Sequence, residues 1–369
     1  LVVGRTDVER GWLTSSGTIQ VAPVLGEAWQ LELSYEARHG VLSTRVEGEL
    51  NPHLGAHRER VFGDVLPSTP PHWTARYLTL SGTLDGSVQL APFIVSQGQQ
   101  EADFRGGHLA FGGQYGDWRL RARFSPWRLT DGENSLESGP IGLESRYTYT
   151  DGAYHFTQSD DLHIERLLWH QPELDLTARD LVYRSLIELD DRELSLDGEL
   201  KIIEILAADQ VLLSGSVSME VSRINADAVR ALLAGLRDEA AMGGPPGEGR
   251  ELLVRIEPAF IAMLQDSPRL DVTRVDLESP MLGLTARGEG ALFFDARRLD
   301  ELSLVGLDDE AQQASWLSRL DGDFIWHDVP TVVALWLGLP LGTEDLEIDV
   351  VRGQVRVNGR PMPPLWRQF

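Results

Sequence analysis

Alternation of apolar and polar residues is the feature that most limits what this chain can fold into. From Thr18 to about Arg223 the pattern has period two, as in Thr18-Ile19-Gln20-Val21, Gln30 to Tyr35, Leu78-Thr79-Leu80, Ser87 to Leu90, Trp118 to Ala122 and Leu194-Ser195-Leu196. A strand shows alternate side chains to opposite faces, so this spacing predicts half-buried strands and opposes helix. Asp85-Gly86, Asp131-Gly132, Asp151-Gly152 and Asp197-Gly198 are the dipeptides that tight hairpins favour, which predicts an antiparallel meander. Pro67 to Trp73 reads as a loop or the lead into an edge strand, because proline cannot donate to a ladder.

Helical spacing begins after Arg223. Asn225 is placed to cap a helix over 226–241 with Val229, Leu232, Leu233 and Leu236 on one stripe. A second helix is expected over 250–265, with Leu253, Ile256, Phe260 and Leu264 aligned and Pro258 inside it. Further helices are expected over 310–320 and 332–337, and a closing hairpin over 345–357 turns at Arg352-Gly353. The fold class is therefore α+β and β-dominated: long, curved antiparallel sheet covered by a few amphipathic helices in the C-terminal half. The organisation expected is a β-rich region over 1–223 and a module of helices plus strands over 224–369.

Composition narrows the function. A net charge of −24 over 369 residues repels nucleic acid and anionic membrane surfaces at short range, and no basic cluster offsets it. Of 33 basic residues only Lys201 is a lysine, which fits GC-rich codon usage or a salt-adapted acidic surface. The absence of cysteine excludes disulfides, thiolate metal sites and cysteine nucleophiles. The longest apolar run, Val332 to Leu339, is far short of the roughly 20 residues that span a bilayer and predicts a core helix ended by Pro340.

Glu9-Arg10-Gly11-Trp12-Leu13-Thr14-Ser15-Ser16 resembles the arginine-glycine-aromatic and serine opening of the YdgA-like family of bacterial envelope proteins. His39-Gly40 with Gly48-Glu49-Leu50, then Leu270-Asp271-Val272, Leu277 to Pro280 and Gly288-Glu289-Gly290, are similar to later segments of that family, although Val41 stands where a proline is common. Gly353 to Pro361 is similar to its closing asparagine-glycine-basic-proline hairpin. The resemblance implies a periplasmic body held to the inner membrane by an N-terminal anchor that precedes Leu1 in the full-length protein. It carries no catalytic residues with it.

His53 and His57, four apart and with His72 downstream, have the spacing of helical metal ligands, but Pro52 and Gly55 oppose a helix there. His155, His163 and His170 fall at intervals that specify nothing. Asp321-Gly322-Asp323 and Asp131-Gly132-Glu133-Asn134 resemble pieces of calcium loops without the closing glutamate, and Asp160-Asp161 and Asp190-Asp191 read as turns. Gly106-Gly107 and Gly112-Gly113 lack the spacing of a nucleotide loop. No catalytic, cofactor-binding or metal residue is assigned, and no cofactor. The expectation is a non-catalytic envelope scaffold or binding body, for a lipid or another envelope component, with a homodimer left open. The alternative is a carbohydrate-active hydrolase using paired carboxylates, with Trp118, Trp127 or Tyr115 stacking on sugar.

Overall fold

The alternating segments form strands, and successive strands pair as hairpins. The computed structural model describes residues 2–22, 30–53, 69–150, 155–242, 249–307, 309–340 and 342–362. By internal contacts the chain divides into two units, each considered by itself. Unit 1 comprises Leu1–Ala153, Gln158–Thr177 and Leu233–Gly249; unit 2 comprises Tyr154–Thr157, Ala178–Leu232 and Arg250–Phe369.

The strands in the first half of the chain are β1 (Val2–Arg10), β2 (Thr14–Ala22), β3 (Gln30–His39), β4 (Ser43–His53), β5 (His72–Leu78), β6 (Thr83–Leu90), β7 (Phe93–Gln97), β8 (Gln100–Phe104), β9 (Gly107–Gln114), β10 (Asp117–Phe124), β11 (Trp127–Asp131), β12 (Asn134–Ser138), β13 (Ile141–Tyr149) and β14 (Phe156–Gln171). In unit 1 an antiparallel ladder runs β1-β2-β3-β4-β5-β6-β9-β10-β13. A second runs β7-β8-β11-β12-β14. The segment leading from Pro70 therefore enters an internal strand, since β5 pairs on both sides.

The two ladders share one register. Leu90 faces Gly107 and Phe93 faces Phe104; Gly107 faces Phe124 and Phe104 faces Trp127; Phe124 faces Ile141 and Trp127 faces Ser138. Four long strands are thus interrupted at one level, at Ala91-Pro92, Arg105-Gly106, Ser125-Pro126 and Gly139-Pro140. Three prolines remove ladder donors there, and Gly106 takes φ +95°, where a side chain would be strained. The remaining groups still pair: the Ser125 N–H donates to the Gly106 carbonyl at 2.9 Å, and the Arg105 N–H to that of Pro126 at 3.3 Å. The interruption also moves the alternation by one residue. Beyond it Val95 is buried, while Ile94, in phase with Leu90, is 67 % exposed.

Two of the Asp-Gly pairs do not turn. Asp85-Gly86 lies inside β6, where a Cβ on Gly86 would stand 2.3 Å from the Phe111 ring. Asp197-Gly198 lies inside the long strand that ends at Ala207. Asp131-Gly132 does turn, with Gly132 at φ +60°, and Asp151-Gly152 falls outside the described residues. Leu78 is the last residue of β5 and Thr79 to Gly82 form a turn, because the Gly82 N–H closes back on the Leu78 carbonyl at 2.9 Å.

The remaining elements are β15 (Leu174–Leu189), β16 (Glu193–Ala207), β17 (Gln210–Asn225), α1 (Ala226–Met242), α2 (Gly249–Met263), β18 (Arg269–Ser279), β19 (Leu284–Phe294), α3 (Glu310–Leu317), β20 (Leu320–His327), α4 (Thr331–Trp336), β21 (Leu346–Val351), β22 (Gln354–Val357) and β23 (Arg360–Pro361). In unit 2 the strands β16 to β23 pair in sequence order. Asn225 caps α1, its side chain accepting the Ala228 N–H at 2.9 Å, and Asp309 caps α3 through the Ala311 N–H at 3.0 Å. Helix α3 is shorter than expected because Leu320 already belongs to β20. Arg352-Gly353 turns with both residues at positive φ, and Asn358-Gly359 repeats the device to add β23.

Leu189, Ala226 and Val229 form one buried cluster in unit 2, and Val329, Ala334, Leu339, Leu346 and Val357 another. Helix α4 is a core helix on one side only. Val333 and Leu337 pack on the second cluster, whereas Val332, Leu335 and Trp336 are exposed. Among the described residues no helix is long and apolar enough to cross a membrane.

After β19 the Arg297 side chain and then its backbone N–H donate to Asp295, holding that carboxyl at about 2, below its ordinary 3.8. A lowered folded value stabilises above the ordinary carboxylate range, and that contribution is lost as pH falls toward 2. Between pH 5 and pH 2 the wild type is expected to lose more of its urea midpoint than Asp295→Asn, the two converging near pH 2. Parallel loss in both would deny Asp295 this role.

Candidate apolar ligand face

The register of unit 1 places every second residue of each strand on a common face. From β2 to β13 that face carries Ile19 and Val21, Leu31, Leu33, Tyr35 and Ala37, Val46 and Leu50, Trp73, Ala75 and Tyr77, Leu84, Val88 and Leu90, Leu109 and Phe111, Trp118, Leu120, Ala122 and Phe124, and Ile141 and Leu143. No Asp, Glu, Lys or Arg of those eight strands lies on it. Charge is confined to the opposite face, in ion pairs such as Arg121–Glu144 at 3.5 Å and Arg146–Asp117 at 3.1 Å.

Glycines allow large rings to lie across this face. Trp73 reaches over Gly48 of the neighbouring strand and donates its indole N–H to the Ser34 carbonyl at 3.1 Å. A Cβ on Gly48 would stand 3.1 Å from that indole nitrogen and 1.8 Å from the Ser34 carbonyl oxygen. Phe111 lies over Gly86 in the same way.

The face is apolar without being sealed. Among the described residues of unit 1 the buried apolar side chains are Ala37, Trp73, Val95 and Ala122; the leucines, isoleucines and phenylalanines named above are half-buried. Beyond the proline level Val95, Ala102, Leu129, Leu136 and Trp169 form one straight cross-strand row over five strands. An open groove of about 430 Å³ lies over this row, with Gln97, Gln100, Asp131 and Asn134 at its polar rim. Trp127 is half-buried at the start of β11, and Tyr115 is exposed at a turn, in edge contact with Tyr149.

The histidines and paired acids are not gathered. His53 and His72 stand on adjacent strands with Gln30 and Glu49 opposite them, while His57 lies outside the described residues. His155 stands 3.7 Å from Asp191, His170 contacts Asp175, and His163 lies within β14. Among the described residues no group of three or more His, Asp or Glu side chains is placed to hold a metal ion. Asp190 accepts the Arg192 and Glu193 N–H groups in a turn, Asp321 accepts the Arg352 N–H at 2.8 Å, and Asp131 accepts from Gln100 at 3.3 Å. Asp160 accepts from Gln158 at 2.9 Å, with Asp161 beside it in β14.

Among the described residues the carboxylates whose ionisation is clearly displaced, Asp117, Asp190, Asp276 and Asp295, are lowered. Hydrogen bonds from Arg146 lower Asp117, backbone N–H groups lower Asp190, and Arg274 lowers Asp276. A glycosidase acid needs the reverse, a carboxyl raised by desolvation or a like charge.

A family model described as "bacterial protein of unknown function (DUF945)" matches residues 2–320. The chain belongs to that family. No curated protein and no solved structure matches it. Membership of DUF945 supports the bacterial part of the resemblance read from the sequence, and it brings no activity and no site residue with it.

The sequence reading missed the row from Val95 to Trp169. Its residues are spread over 75 positions, and alternation alone assigns Ile94 to the wrong side. The available signal was the recurrence of proline at 92, 126 and 140, each placed to shift the phase of a strand.

Proposed function

We propose that this protein is a non-catalytic body of the bacterial cell envelope that binds the acyl chains of a phospholipid on the charge-free face of unit 1. One observation carries the reading: eight adjacent strands present an apolar face whose leucines, isoleucines and phenylalanines remain half-buried. Scattered apolar residues are normal on a protein surface, but a continuous apolar face marks a surface meant to be covered. An acyl chain suits it, because each methylene buried contributes about 0.8 kcal/mol and demands no polar partner. The family supports a bacterial setting, and the phospholipid supplies the envelope component that the sequence reading anticipated.

The test is a titration with pyrene-labelled phosphatidylcholine in detergent-free buffer. Saturable binding that unlabelled phospholipid displaces, and glucose oligomers do not, is the expected result. Failure to bind any labelled lipid would remove this function.

A further inference from the structure

All described hairpin turns at one end of the unit 1 sheet carry large apolar residues at their tips. The connections β1–β2, β3–β4, β5–β6 and β9–β10 emerge at the same end, because each pair in the ladder is antiparallel to the next. Their tips are Trp12-Leu13, Val41-Leu42, Leu80 and Tyr115. Trp12 is 95 % exposed, Val41 93 %, Leu80 85 % and Tyr115 76 %. Turn tips ordinarily take Gly, Asn, Asp, Ser or Pro. The described turns at the opposite end follow that rule, with Gly98-Gln99, Gly132-Glu133 and Pro172-Glu173.

These tips are held in place by backbone hydrogen bonds. The His39 N–H donates to the Leu13 carbonyl at 2.7 Å and the Thr79 N–H to that of Leu42 at 3.0 Å, tying each turn to the next strand. With strands about 4.8 Å apart, successive tips stand about 10 Å from one another and the line is about 30 Å long.

Behind the tips, on the charged face, the register aligns Arg38, Arg45, Arg76, Asp85, Gly112, Arg119 and Arg146 in a single cross-strand row. It lies about three residues, or about 10 Å, from the tips. Arg38, Arg45 and Arg76 stand on three adjacent strands; Arg38 pairs with Glu47 at 3.9 Å, and Asp85 stands across from Arg76. Asp85 lies in the row, Asp117 stands one same-face step nearer the tips and pairs with Arg119 and Arg146 at 3.9 and 3.1 Å, and Glu36 and Glu47 lie in the next row farther from the tips.

We propose that this end of unit 1 docks on the surface of a phospholipid bilayer, the tips entering the interface and the arginine row meeting lipid phosphates. Three features favour a bilayer over a protein partner. Tryptophan and tyrosine mixed with aliphatic residues are the side chains that settle at a membrane interface. The tips form a thin line instead of a compact patch with a central pocket, which a protein hot spot would need. Finally, Arg38, Arg45 and Arg76 stand behind the apolar tips at the depth that lipid phosphates occupy. This docking does not depend on whether the apolar face holds an acyl chain, since it uses different residues.

The experiment is flotation of the purified protein with vesicles of phosphatidylcholine, and of phosphatidylcholine mixed with phosphatidylglycerol, at low salt. The wild type is expected to float with both, the arginines behind the tips offsetting at contact the repulsion between its net charge of −24 and the anionic mixture. Trp12→Ser with Leu80→Ser, both at exposed tips, is expected to reduce the bound fraction at least about tenfold. Arg45→Gln with Arg76→Gln is expected to reduce flotation with the anionic mixture and leave that with phosphatidylcholine unchanged. Wild-type protein that stays in solution with both compositions overturns the proposal, as does a tip variant that floats like the wild type. Concentration-dependent self-association that the tip variant abolishes, without flotation, would assign the surface to a second copy of the chain and overturn it equally.

Discussion

Gly48→Ala is expected to cost unit 1 about 3 kcal/mol, a large loss for a single methyl group. The added Cβ would stand 1.8 Å from the Ser34 carbonyl oxygen, a backbone atom that cannot swing aside as a flexible side chain would. Relieving that overlap separates β4 from β3 and breaks the bond from the Trp73 indole to the same carbonyl. Trp73 is the largest buried side chain of unit 1, so the damage reaches the centre of the face. Gly198→Ala is the matched control. It lies inside β16, where the nearest neighbour is a flexible Met219 side chain at 3.6 Å, and replacing glycine within a strand there is expected to be neutral or slightly stabilising. Urea unfolding of both variants checks the pair. Equal effects would mean that the close approach over Gly48 does not exist in solution.

Leu120→Asp is expected to lower phospholipid affinity at least about a hundredfold, which corresponds to about 3 kcal/mol. Leu120 stands between Phe111 and Ser145 on neighbouring strands, on the seventh of the eight strands that form the charge-free face. A carboxylate pressed against an acyl chain loses water without gaining a donor. The side chain is only half-buried, so the free protein can hydrate the new charge and retain its fold, which thermal unfolding would verify. Leu120→Met keeps volume and polarity and is expected to bind normally. Undiminished binding by Leu120→Asp would place the chains elsewhere.

Much of the architecture was legible because local chemistry and tertiary structure agree. Alternation located β2, β3 and β10, Asn225 marked the start of α1, and Arg352-Gly353 marked a turn of the closing hairpin. The errors arose where a residue serves a distant neighbour. Gly86 looks like half of a hairpin signal, yet it is glycine because the Phe111 ring from another strand lies against it. Leu78-Thr79-Leu80 alternates like a strand and is in fact a strand end and a turn, because Leu80 faces outward at a tip. The candidate face was legible strand by strand, but its continuity depends on register, which alternation leaves free by steps of two residues. The tip line was the least visible. Trp12, Val41, Leu80 and Tyr115 are separated by 29, 39 and 35 positions, and only the topology brings them to one end.

Native mass spectrometry of protein purified without detergent, followed by lipid extraction, decides whether the apolar face holds a phospholipid. A stoichiometric phospholipid adduct is expected on the wild type, lost from Leu120→Asp and retained by Leu120→Met. A bare protein mass in repeated detergent-free preparations, unchanged after incubation with phospholipid, would contradict it.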